Sequence, residues 1–114
     1  MKARQRRCTI RLSQAAEDDY RDILRWTEKQ FGSRQTLLYA ATLSEAIDAL
    51  RDGARTPGAW SRDEISPGLF VLHVARNRRK GRHLILFRID ERGGEPIVRV
   101  IRILHDSMDI VRYL

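Results

Sequence analysis

The chain has a single cysteine, Cys8, among its 114 residues. An internal disulfide is therefore excluded, and so is a metal cluster built on several thiolates. Long apolar runs are missing as well: no stretch approaches the roughly 20 residues that a bilayer-spanning helix needs. The opening MKARQRRCTIRL is basic but holds neither an apolar segment nor a small-residue cleavage site, so it does not read as a secretory signal. A cytoplasmic protein without membrane contact is the expectation. Repeats and low-complexity segments are absent. No spacing resembles a nucleophile–base pair, a metal-ligand set or a phosphate-cradling glycine loop, so no catalytic residue, metal or cofactor is indicated.

What the chain does have is enough apolar material, 42% of residues, to build one core, and a length that suits a single domain over residues 1–114. It also has charge. The formal net charge is +7, and its distribution matters more than its size. The stretch ARNRRKGRH (75–83) contains Arg76, Arg78, Arg79, Lys80 and Arg82 and no acid; without those five cations the rest of the chain carries only +2. A patch of this kind suits nucleic acid, an acidic protein partner, or plain solubility.

Residues 8–12, CTIRL, alternate, with Cys8, Ile10 and Leu12 on one side, and predict a short half-buried strand. Ser13 stands where a helix N-cap belongs, and Asp18 and Asp19 follow where negative charge is favoured. Ala16, Tyr20, Ile23, Leu24, Thr27 and Phe31 then mark one helical face, which Gly32 ends. Ser33 is expected to cap a second helix whose face is Tyr39, Leu43, Ala46, Ile47, Leu50 and Ala54, and so short a break implies an antiparallel αα-hairpin. Residues 52–68 read as a loop from Pro57-Gly58 and Pro67-Gly68, with Trp60 plugging the core. Three strands follow at 69–75, 83–89 and 97–104, divided by turns at Lys80-Gly81 and Arg92-Gly93-Gly94. The order β-α-α-β-β-β predicts an α+β domain, with the hairpin on one face of an antiparallel sheet and a short C-terminal helix. Phe70, Leu72, Val74, Ile85, Phe87 and Ile89 should face the helices. Leu69, Val71, Leu84 and Leu86 should line a second face left open for a partner, with Arg99 and Arg102 on opposite faces.

The candidate site residues are the five cations of the loop together with Arg88, Arg102, His105 and Asp106. At the end of the last strand, Asp106 and Asp109 have the spacing of a capping box, in which Asp106 would cap the final helix. The alternative makes Arg102, His105 and Asp106 part of a recognition surface. His73 on its strand reads as a hydrogen-bonded structural group, and His83 and His105 at strand ends are equally weak signals.

Three stretches carry a resemblance: LSQAAEDDYRDILRWTEKQFG (12–32), ISPGLFVLHVARNRRKGRHLILFRI (65–89) and RVIRILHDSMDIVRYL (99–114). In these the chain resembles the ParE group of the RelE/ParE toxin superfamily. The resemblance implies the toxin half of a bacterial toxin–antitoxin pair and inhibition of DNA gyrase; on that reading the basic loop either contacts DNA held in the gyrase complex or meets the acidic antitoxin. It also implies neutralisation by an acidic, ParD-like antitoxin with a ribbon-helix-helix domain and a C-terminal segment that wraps the toxin. The sister RelE-like branch cuts mRNA on the ribosome, and His73, Arg88, Arg99, Arg102, His105 and Tyr113 are the pieces such chemistry would use here.

Overall fold

The structure, a computed structural model, describes residues 7–114; the basic stretch at 1–6 lies outside the described residues. Strand β1 (Thr9–Leu12) alternates as expected, with Thr9 and Arg11 exposed and Ile10 and Leu12 half-buried. Ser13 then adopts an extended backbone and caps the helix: its Oγ accepts from the Ala16 amide at 3.0 Å and donates to the Ile101 carbonyl at 2.7 Å. One hydroxyl thus starts the helix and ties it to the last strand.

The helical segment Gln14–Ala49 is broken at Gly32, whose φ of 85° and ψ of 177° belong almost exclusively to glycine. This break makes two arms, α1 (14–31) and α2 (33–49). A hydrogen bond of 3.1 Å joins the Tyr20 and Ser44 hydroxyls, 24 residues apart; along a straight helix they would lie about 36 Å from each other. The chain therefore doubles back, as an αα-hairpin must. Ser33 engages the Glu28 carboxylate at the tip (3.3 Å), and the Thr36 hydroxyl donates to the Gly32 carbonyl (2.9 Å). Two residues assigned to the inward faces, Phe31 and Ala54, are exposed. Phe31 lies at the very tip of the hairpin, and Ala54 lies on the outer side of the 3₁₀ turn Leu50–Arg55, whose buried residues are Leu50 and Gly53.

The sheet has five strands in the order β1-β5-β4-β3-β2, with β2 (Trp60–Ser61), β3 (Phe70–His73), β4 (His83–Asp90) and β5 (Ile97–His105). Pairing is antiparallel except that β1 runs parallel to β5, so the sheet is mixed rather than wholly antiparallel. The geometry demands it, because the hairpin carries the chain from β1 across the sheet and back. Trp60 is 42% exposed on the edge strand β2 and does not plug the core.

The expectation that Arg99 and Arg102 lie on opposite faces is also overturned. Opposite Leu86 stands Arg102, and opposite Phe87 stands Val100, so Ile101 is an extra residue in β5. Such a bulge reverses the alternation beyond it. It brings Arg102 onto the face that already holds Arg88 and Arg99.

Two cores result. Leu72, Val74, Ile85, Phe87, Val98 and Val100 pack with Ala16, Leu43, Ala46 and Leu50 of the helical layer as alternation predicts, and the bulge adds Ile103 to them. On the other face Leu69, Val71 and Leu86 are fully buried and Leu84 nearly so. This face is not open. Ile65 from the loop before β3 and Ile110 from a C-terminal 3₁₀ turn (Ile110–Tyr113) pack on it together with Ile101 and Leu104. Asp109, not Asp106, caps that turn, accepting from the Val111 amide at 3.3 Å.

Candidate functional site

Strand register gathers all three histidines of the chain at one end of the sheet. His73 closes β3 and His83 opens β4, with the basic loop between them. His83 sits directly opposite His105, the last residue of β5. The rings of His83 and His105 meet edge to face at 5.5 Å. Tyr39 from α2 completes the cluster beside Arg82 and Asp106.

Hydrogen bonding fixes the orientation of each group. His73 Nδ1 accepts from the Ala75 amide (3.0 Å), which leaves its Nε2–H to donate to Asp106 (3.0 Å). Arg82 approaches the same carboxylate in fork geometry at 3.1–3.2 Å. Its backbone amide donates to the Tyr39 hydroxyl (3.2 Å), and that hydroxyl is hydrogen-bonded to His83 Nδ1 (2.6 Å). His105 Nδ1 accepts from the Ser107 amide (3.2 Å) and lies 2.7 Å from its hydroxyl. His73 and His105 therefore use Nδ1 as an acceptor.

The electrostatics follow from these contacts. Hydrogen bonds from Arg82, and then from His73, hold the Asp106 carboxyl down at about 2. Burial, and then the neighbouring His105, push His83 down to about 4. Burial raises the Tyr39 phenol above its ordinary value. His83 is thus uncharged near neutral pH, and Asp106 a fully ionised anchor for Arg82.

The remaining sequence-derived candidates separate. Arg79 reaches α2, bonding the Glu45 carboxylate and the Thr42 hydroxyl. Arg76 donates to the Pro57 carbonyl (3.3 Å), while Arg78 and Lys80 are exposed. Arg88 is elsewhere, tying the loop before β3 through Ser66 (2.6 Å) and the Pro67 carbonyl (2.5 Å). Arg102 is elsewhere too. Its Nε and Nη2 meet the Asp19 carboxylate at 2.8 and 2.7 Å, and its guanidinium lies 5.4 Å from the Tyr113 ring centre. The carboxylate of Asp19 also takes the Ile103 amide at 2.9 Å. Tyr39, read as part of a helical face, and His83, read as a weak signal, join the cluster from outside the candidate set, and His73 is the hydrogen-bonded strand histidine it was read to be. The signal that could have grouped the two histidines is hairpin symmetry, but the turn lies at Asn77-Arg78 and not at the expected Lys80-Gly81, which is what leaves His73 and His83 at the heads of adjacent stems.

A second exposed feature lies on the hairpin. Trp26, Phe31, Leu37 and Leu38 are all more than half exposed, and the Trp26 and Phe31 rings stack edge to face at 5.8 Å. No described helix is long and apolar enough to cross a membrane. Among the described residues no group of histidine, cysteine and acidic side chains has the arrangement of a metal site.

Comparison with known proteins places this architecture. The family model described as the ParE toxin of type II toxin-antitoxin system, parDE, matches residues 10–110. A Toxin ParE1 of Mycobacterium tuberculosis is 33% identical over 103 residues, covering 90% of this chain and 94% of that protein. A Toxin ParE of Escherichia coli is 34% identical over 103 residues, covering 90% of this chain and 89% of its own. Among solved structures, a chain of the chromosomal ParDE TA system from P. aeruginosa superposes with a TM-score of 0.69 at 17% identity, covering 89% of this chain and 98% of that one.

Proposed function

The chain belongs to the ParE toxin family of type II toxin–antitoxin systems, and from that premise we propose that it inhibits DNA gyrase by binding, with a ParD-like antitoxin holding it inactive. The observation that carries the binding reading is the closure of the polar cluster. Asp106 is ionised and shared between Arg82 and His73, and His83 is occupied by the Tyr39 hydroxyl. Groups tied to one another in this way make a rigid, cation-bearing end of the sheet rather than a poised acid–base pair. Purified protein is expected to inhibit supercoiling and to leave cleaved DNA after denaturation, while message on translating ribosomes survives.

The antitoxin segment is assigned to the hairpin flank. Trp26, Phe31, Leu37 and Leu38 supply the apolar anchors, which an amphipathic helix with acids between its apolar residues would cover. A partner at about 100-fold above its dissociation constant should stabilise the toxin by roughly 2.7 kcal/mol. Thermal melts of the toxin alone and in complex measure this; a partner that leaves the melting point unmoved removes the assignment.

A second reading, a RelE-like ribosome-dependent endoribonuclease, is favoured by one observation: all three histidines stand with Tyr39 beside the basic loop. Codon-positioned cuts in ribosome-bound mRNA, with gyrase unaffected, would establish it in place of the first.

A further inference from the structure

The loop between β3 and β4 divides its cations into two kinds. Arg76, Arg79 and Arg82 are tied to the Pro57 carbonyl, to Glu45 with Thr42, and to Asp106. Among the described residues, Arg78 and Lys80 have no hydrogen bond or ion pair, and both are exposed. The tied arginines anchor the loop at three points. Gly81 anchors it further, because a Cβ there would lie 2.6 Å from Val74 Cγ2 and 2.9 Å from the Tyr39 hydroxyl. The free cations therefore stand on a fixed platform.

At the tip, Asn77 and Arg78 both have positive φ, 52° and 67°, and the Arg79 amide donates to the Arg76 carbonyl at 2.9 Å. That is the pattern of a type I′ turn, which favours asparagine followed by glycine. Asn77 suits its place. Arg78 does not: a side chain in the left-handed region is disfavoured where glycine would be relaxed. A guanidinium is held at the tip against the preference of its own backbone.

We propose that Arg78 and Lys80 form a contact site for the phosphodiester backbone of duplex DNA, with Arg78 as its projecting tip. The nearby carboxylates Glu45, Asp48 and Asp106 are each paired with an arginine, Arg79, Arg51 and Arg82, so none is left without a cation to repel a polyanion. None of the large exposed apolar side chains lies within 75–83, so the loop lacks the anchors of a protein–protein contact. Protein–DNA contacts are instead polar and strongly positive. The stretch also has no phenylalanine, tyrosine or tryptophan on which unpaired bases could stack, which selects a duplex over a single strand. Phosphate contacts of this kind position the protein without reading sequence.

This site deepens the gyrase reading by naming its DNA contact, and the test uses DNA without gyrase so that the two fail separately. Binding to a short labelled duplex is measured across a salt series for the wild type, Arg78→Gly, Lys80→Gln and the double variant. An Arg11→Gln/Arg55→Gln variant matches the charge change elsewhere. Removal of one phosphate-binding cation should reduce the slope of log affinity against log salt by about 0.9, so the slope should fall by about 1.8 in the double variant and little in the control. Arg78→Gly should bind DNA more weakly and yet melt higher. Equal weakening in the control, an unchanged slope in the double variant, tighter binding of poly-glutamate or RNA than of the duplex, or a lower melting point for Arg78→Gly would each overturn the proposal.

Discussion

Asp19 shows how much a single carboxylate can hold. It accepts two bonds from Arg102 and one from the Ile103 amide, at the place where β5 runs on past the end of β1. Asp19→Ala would strand a half-buried guanidinium and a backbone N–H, and a loss of roughly 2–3 kcal/mol is expected in denaturant unfolding. Arg102 was legible as a partner for nearby acids, but its partner was not, since Asp19 lies 83 residues away and reads locally as a favourable charge early in a helix. His83 makes a different demand. Its folded pKa of about 4 lies below the ordinary 6.5, so between those values the unfolded chain binds more protons than the folded one. Stability should therefore fall as pH drops from 6.5 to 4, and His83→Asn should flatten that part of a melting-temperature profile. Asp106, held at about 2 against the usual 3.8, adds a further loss as the pH falls through that lower window.

Among the elements, the helical hairpin depends on one backbone conformation. Gly32 has open space where a Cβ would go, yet its φ and ψ suit glycine alone. Gly32→Ala should thus cost roughly 1–3 kcal/mol through the backbone and nothing through packing, measurable by chemical denaturation. The basic loop is the opposite case, where side chains do the anchoring. Its clear hairpin signal hid the bonds from Arg79 to Glu45 and Thr42, so removing Arg78, Arg79 and Lys80 together would confound recognition with folding. Strands and helices were readable from alternation and helical spacing. The bulge at Ile101 was not, because VRVIRIL carries one arginine in each alternate set, which strict alternation reads as one on each face, and only pairing with β4 reveals the extra residue. Nor was the second core legible: nothing local says that Ile65 and Ile110 fold back onto Leu69, Val71 and Leu86.

Over the whole molecule, the exposed apolar side chains of the hairpin and the free cations of the loop are separate features, and each is assigned a different partner. Polar substitution of Phe31 and Leu37 should weaken antitoxin capture in a pull-down while leaving DNA binding intact. Arg78→Gly with Lys80→Gln should do the reverse. A pair of variants that fail together would merge the two surfaces into one. The parallel pairing of β1 with β5 has a consequence of another kind, in time rather than space. The strand lying between β1 and β4 is the last of the five to be synthesised. At roughly 5–20 residues per second, several seconds separate the emergence of β1 from that of its neighbour. Until then the first strand has no hydrogen-bonded partner in the sheet, and the helical arms lack Val98, Val100 and Ile103 beneath them. A nascent chain stopped at Pro96 should be unfolded and protease-sensitive, so toxicity is withheld throughout elongation and arrives only when β5 slots into the gap.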